Sequence, residues 1–75
     1  MPHVIVKMYP GRSEEMKIDM ADKVTKAIIE SLSVDESTVS VAVEEIEREN
    51  WNDAVYQPDI KQKEQMLYKK PGYTP

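Results

Sequence analysis

The sequence contains no cysteine, a single histidine and only two glycines in 75 residues. Without cysteine, neither a disulfide nor a thiolate metal site can stabilise the fold, and one histidine argues against a structural zinc site. A chain this short also buries a smaller fraction of its surface than a typical domain does. Oligomerisation is then the remaining common way to stabilise the fold, and we expect a homo-oligomer.

Long apolar runs and clusters of basic residues are also missing. No run approaches the roughly 20 apolar residues of a membrane-spanning helix, and the N-terminus lacks the features of a signal peptide. We therefore expect a cytoplasmic protein with no membrane partner. The ten Lys and Arg residues are scattered and the net charge is −4, which argues against nucleic acid as a partner.

The first part of the chain has the pattern of a strand, a helix and a second strand. Alternation predicts strands over Pro2–Met8 and Thr38–Ile46, and Ser13 is a suitable N-cap for an amphipathic helix of about five turns. The helix has an apolar stripe wider than one two-stranded sheet needs, which indicates a subunit contact. Its members include Met16, Ile18, Met20, Ala21, Val24, Ala27, Ile28, Ile29 and Leu32.

The C-terminal part is less regular. Asn50 can cap a short turn, Pro58 can occupy the first position of a helix, and Pro71-Gly72 would end that helix. We predict one domain over residues 1–75, with a βαβ core at 2–46 and an extension with short helices at 47–75. Two parallel strands are too few for a stable sheet, so a second copy would have to complete it.

Pro2 is the first residue with possible chemistry. Proline is tolerated at the first residue of a strand, so Pro2 can simply mark where the strand begins. Alternatively, aminopeptidases remove Met1 when the second residue is small. The product would carry a secondary amine, which can act as a base.

Several features together resemble a known family. They are the N-terminal proline on a strand, GRSEEMK at the helix start, TVSVAVEEI as the second strand, and the aromatic Trp51 shortly after it. This layout resembles the 4-oxalocrotonate tautomerase family, and the MPH start and KKPGY tail resemble its small dimeric phenylpyruvate-tautomerase-like subgroup. The resemblance implies an α/β (α+β) tautomerase fold, in which βαβ subunits pair into a four-stranded sheet with helices on one face. It also favours a homodimer over a hexamer, and it implies no cofactor and no metal.

The resemblance also assigns roles to single residues. Pro2 would be the general base, Arg12 would bind the substrate carboxylate and steady developing negative charge, and Trp51 would form an aromatic pocket wall. Ser40 stands where hexameric members carry a second arginine. A serine hydroxyl can donate a hydrogen bond but cannot form an ion pair with a second carboxylate. We therefore expect Ser40 to contact a monocarboxylate substrate rather than a dicarboxylate. His3 and Lys7 are interpreted as ordinary strand residues, and Tyr56 and Tyr73 receive no role.

The resulting prediction is a cofactor-free keto-enol tautomerase acting on a small 2-oxo or 2-hydroxyalkenoic acid, with an aryl monocarboxylic acid as the best candidate. Two alternatives remain at this stage. One is a non-catalytic oligomeric binding protein on the same fold. The other is a hydratase or dehalogenase of the same superfamily, in which a protonated proline acts as an acid.

Overall fold

A computed structural model describes all 75 residues. Strand β1 (His3–Met8) is followed by helix α1 (Glu14–Leu32) and strand β2 (Ser40–Glu45), so the predicted βαβ unit is confirmed. The chain forms two compact units, Met1–Glu45 and Ile46–Pro75. The expectation of a single domain over residues 1–75 stays a prediction.

Helix α1 begins and ends at recognisable caps. The Ser13 hydroxyl accepts a hydrogen bond from the Met16 backbone N–H at 3.2 Å, so the predicted N-cap is confirmed. At the other end Ser33 adopts a left-handed conformation, and its N–H donates to the Ile29 carbonyl at 2.9 Å. On the exposed face, Asp19–Lys23 and Asp22–Lys26 ion pairs at 2.8 and 2.9 Å follow the helical spacing of four.

The two strands pair in parallel, with His3 opposite Ser40 and Met8 opposite Glu45. β2 is shorter than predicted because Asp35 caps a 3-10 turn over Glu36–Thr38, accepting a hydrogen bond from the Ser37 N–H at 3.1 Å. This turn removes Thr38 from the strand. β1 likewise begins one residue later than predicted, at His3.

Helix α1 lies on one face of the sheet. Its residues Ile18 and Ala21 line a cleft together with Val43 and Glu45. The Lys17 ammonium contacts Glu45 at 3.2 Å and Glu14 at 3.3 Å, and these hydrogen bonds raise the pKa of Lys17. The ion pair joins the first turn of α1 to the end of β2. The opposite face of the sheet carries His3, Ile5, Lys7, Ser40, Ala42 and Glu44.

Burial is scarce throughout the chain. The only buried hydrophobic residue is Val55, at 4% exposure, and no residue of unit Met1–Glu45 is buried. On α1, Ile18 remains 62% exposed, and Met16 and Leu32 are exposed as well. The sheet has two strands only, so each strand has an unpaired edge. These features supply the apolar surface and free edges that a second copy would need.

The unit Ile46–Pro75 contains a 3-10 turn (Arg48–Asn50), a π-helix (Asn52–Lys61) and a 3-10 turn (Glu64–Met66). The prediction that Pro58 begins a helix is wrong, because Pro58 lies inside the π-helix. Trp51 has helical dihedral angles and leads from the first turn directly into this helix, which therefore starts six residues earlier. The Gln57 amide donates to the Asn52 side chain, five residues away, at 3.1 Å, as the wider helix allows.

No helix of this protein has the length and apolar character needed to cross a membrane.

Candidate active site

Pro2 stands at the entrance of β1, where it is half-buried. Its carbonyl accepts a hydrogen bond from the Ser40 backbone N–H at 3.2 Å, so the end of the chain is tied to the neighbouring strand. Met1 is 98% exposed and thus contributes almost no packing. With Met1 attached, the Pro2 nitrogen is an amide; removal of Met1 would convert it into a secondary amine without loss of buried surface.

Ser40 makes a second contact near Pro2. Its hydroxyl lies 2.7 Å from the His3 Nδ1 atom, because the parallel register places these residues directly opposite each other. Either group can donate in this hydrogen bond, depending on the imidazole tautomer. Ser40 therefore binds Pro2 through its backbone and His3 through its side chain. Sequence reasoning gave His3 no such role, since alternation assigns a residue to a face but does not identify its partner across the sheet.

Arg12 lies at the opposite end of the same strand. It follows the Pro10-Gly11 turn after β1, whereas Pro2 precedes β1. With a rise of about 3.3 Å per residue, Pro2 and Tyr9 are separated by roughly 23 Å along the strand. An arginine side chain is far too short to span that distance. One chain thus brings together Pro2 and Ser40 but does not bring Arg12 to either of them.

The loop at Arg12 leaves its guanidinium exposed. The ion pairs of unit Met1–Glu45 all involve lysine rather than arginine. In particular, Glu14, the acidic residue nearest to Arg12 in sequence, and Glu45 at the end of β2 both form ion pairs with Lys17. The Arg12 guanidinium is consequently available for an external anion, with five N–H donors in a planar fork suited to a carboxylate.

Trp51 belongs to the other unit, Ile46–Pro75, and is half-buried. Its indole N–H donates to the Tyr73 hydroxyl at 2.9 Å. Tyr73 also contacts the ring of Tyr56, with centroids 5.9 Å apart and planes tilted by 50°. Sequence reasoning missed this contact, because no periodic pattern links Tyr73 to a residue 22 positions earlier.

A family model described as "Tautomerase enzyme" matches residues 2–54, well over half of the chain. The chain belongs to the tautomerase family. It is 44% identical over 73 residues to the "Probable tautomerase" of Xylella fastidiosa, covering 97% of this chain and 89% of that protein. It is 38% identical over 74 residues to "Tautomerase PptA" of Cronobacter sakazakii, covering 97% of both chains.

Solved structures support the same fold. This tautomerase resembles YwhB, a homologue of 4-oxalocrotonate tautomerase, with a TM-score of 0.61 and 38% identity over 63% of this chain and 77% of that chain. It resembles TomN, a 4-oxalocrotonate tautomerase homologue in the tomaymycin biosynthetic pathway, with a TM-score of 0.65 and 32% identity over 67% and 77%. The protein is therefore an enzyme of the tautomerase type, an isomerase, rather than a non-catalytic binding protein.

The turn that presents Arg12 depends on Gly11, whose φ of +121° is a conformation that residues with a Cβ rarely adopt. We expect Gly11→Ala to lower the free energy of unfolding by about 1 to 3 kcal/mol, because the strain applies although space for a methyl group exists. Urea denaturation of the variant measures this change.

Gly72→Ala is the matched control, since Gly72 also has open space around it and lacks a positive φ. It should leave stability unchanged or raise it slightly, by up to about 1 kcal/mol. Equal stability of the two variants would show that the Gly11 conformation is not needed for the turn.

Proposed function

We propose that this tautomerase interconverts the enol and keto forms of a small 2-hydroxyalkenoic or 2-oxo acid without a cofactor, using the Pro2 amine as general base. The observation that carries this proposal is the setting of Pro2. Its carbonyl is held by Ser40 at 3.2 Å, and the residue ahead of it is almost fully exposed. Removal of Met1 would leave a secondary amine already positioned directly ahead of β1.

In the proposed reaction, the neutral Pro2 amine removes the proton from the 2-hydroxyl group of the enol. The C2–O bond becomes a carbonyl as the C2=C3 electron pair moves to C3, and the prolinium returns the proton to C3. Atoms and charge balance without any other reactant. A base for such transfers works best with a pKa near the working pH.

Arg12 is proposed to bind the substrate carboxylate through two parallel hydrogen bonds and to stabilise negative charge on the enolate oxygen. Since Pro2 and Arg12 lie at opposite ends of β1, the two residues of one site would come from different copies of the chain. The unpaired strand edges and the exposed apolar residues of α1 support such an assembly. We favour a homodimer over a hexamer, as the resemblance of the tail implies.

The proposed substrate is an aryl monocarboxylic acid such as phenylpyruvate. Arg12 would be the single cationic clamp, because Ser40 supplies only a hydroxyl that already contacts His3. Trp51 would form the aromatic wall against which an aryl ring can stack. A cytoplasmic location, expected from the sequence, stays a prediction.

The pH dependence of kcat/KM tests the base. We expect activity to rise through an apparent pKa below about 8, the ordinary α-amino value, because partial burial and the Arg12 cation both disfavour prolinium. Arg12→Ala should lower the rate on the order of 10² to 10³ and move this pKa upward.

Intact mass must first establish that Met1 is absent from the sample. A homogeneous Met1-bearing sample with equal activity would disprove the role of the Pro2 amine.

Mixed oligomers test whether the site is shared. Pro2→Leu should be inactive, since a large second residue prevents removal of Met1, and Arg12→Ala should be nearly inactive. Co-refolding equal amounts of the two variants should restore about a quarter of the wild-type activity, the random fraction of sites that combine Pro2 and Arg12 from different chains.

If both residues of a site came from the same chain, mixing would restore nothing. The control is native mass spectrometry of the co-refolded sample, which shows whether the two variants assemble into mixed oligomers.

Substrate preference tests the role of Ser40. A dicarboxylate would bury its second carboxylate without a cationic partner, so we expect kcat/KM for phenylenolpyruvate to exceed that for 2-hydroxymuconate by about tenfold or more. Ser40→Arg should shift the ratio towards the dicarboxylate. Ser40→Ala, which also loses the contact with His3 but adds no charge, should not. A wild-type preference for 2-hydroxymuconate would contradict the proposal.

A further inference from the structure

A side-chain hydrogen bond joins the C-terminal tail to the first part of the unit Ile46–Pro75. The hydroxyl of Tyr73, two residues before Pro75, accepts a hydrogen bond from the indole N–H of Trp51 at 2.9 Å. Indole has one polar hydrogen and can only donate, so this bond engages the single polar group of the Trp51 side chain.

Tyr73 is itself held in place by an aromatic contact. Its ring packs against Tyr56 at 5.9 Å with a tilt of 50°, within the range in which aromatic pairs attract each other. Trp51, Tyr56 and Tyr73 thus form an aromatic cluster in which Tyr73 is the central member. Tyr56 lies in the π-helix and is half-buried, so the cluster is anchored to regular structure rather than to the tail alone.

Only part of this cluster lies in the segment shared across the family. The family model matches residues 2–54, which include Trp51 and exclude Tyr56 and Tyr73. The two relatives described above align over 97% of the chain, so the match to them extends far into the tail. The tail therefore lies outside the segment that the family model matches, and its Tyr73 contacts Trp51 within that segment.

A hydrogen bond to the indole selects one side-chain orientation. Trp51 is half-buried, and the hydrogen bond to Tyr73 acts together with the packing of the ring in favouring one staggered orientation. One neutral hydrogen bond favours the bonded orientation by roughly threefold to tenfold over the others. A flat wall for an aryl ring is effective only if the indole plane stays in one direction.

We propose that Tyr73 is a positioning residue for substrate recognition: its hydroxyl orients the Trp51 indole, so that the C-terminal tail sets affinity for the aryl ring of an aryl monocarboxylate. This inference rests on the proposed function in assigning Trp51 to the wall of the substrate pocket. Tyr73 acts through Trp51 and does not itself touch the reacting atoms.

The test replaces Tyr73 by phenylalanine, which removes the hydroxyl and keeps the ring that packs on Tyr56. Trp51 is the only tryptophan of the chain, so intrinsic tryptophan fluorescence reports on this residue alone. We expect Tyr73→Phe to shift the emission and to lower its anisotropy, because the released indole samples more orientations. Tyr68→Phe is the matched control, since Tyr68 is fully exposed.

Affinity is measured with phenylacetate, a stable aryl monocarboxylate that needs no turnover, by titrating the Trp51 fluorescence. We expect the Kd of Tyr73→Phe to rise about threefold to tenfold, the loss of one orienting hydrogen bond, while Tyr68→Phe binds as wild type does. Acetate, which has the carboxylate without the ring, should bind equally to all three proteins. With phenylenolpyruvate as substrate, the variant should raise KM more than it lowers kcat.

An unchanged emission in Tyr73→Phe would overturn the proposal, because the hydroxyl then does not orient the indole. A changed emission with an unchanged Kd for phenylacetate would overturn it as well, since the tail would then act on Trp51 without affecting recognition. Failure of the proposed function is recognised separately. In that case the wild-type enzyme binds phenylacetate with the expected dependence on Tyr73, but shows no turnover or no dependence on the Pro2 amine.

Discussion

The parallel pairing of β1 with β2 determines where every candidate residue of the βαβ unit lies. With His3 opposite Ser40, the start of both strands forms one end of the sheet, and Pro2 is tied there. The crossover through α1 requires the chain to leave β1 at the other end, where Gly11 and Arg12 form the entry to the helix. The same connection that makes the unit possible therefore separates the proposed base from the proposed carboxylate clamp.

Side chains of the βαβ unit are poorly buried, because the unit has so few elements. One helix and two strands can cover only one face of each other, and no residue of Met1–Glu45 reaches a buried position. An ion pair from Lys17 to Glu45 joins the helix to the sheet, and several apolar residues of α1 stay exposed. In the proposed oligomer, these exposed residues and the free strand edges would both stabilise the fold and bring an Arg12 to each Pro2.

The unit Ile46–Pro75 differs from the βαβ unit in its helix type and in the contacts that join its segments. Its π-helix is wider than an α-helix and contains a proline, and its single buried residue is Val55. Aromatic contacts rather than periodic packing join the tail to this unit, through Trp51, Tyr56 and Tyr73. In the proposed function this arrangement gives the tail a direct influence on the aromatic wall, which the βαβ segment alone would lack.

The sequence by itself determined the βαβ order, the approximate length of α1 and its Ser13 cap, because alternation, helical periodicity and capping are local properties of consecutive residues. It also indicated Pro2, Arg12, Ser40 and Trp51 through a family resemblance. Only the tertiary structure decided that His3 meets Ser40, that Tyr73 meets Trp51, and that Pro2 and Arg12 lie far apart. Strand register and tail placement depend on contacts between residues distant in sequence, and no local pattern encodes those contacts.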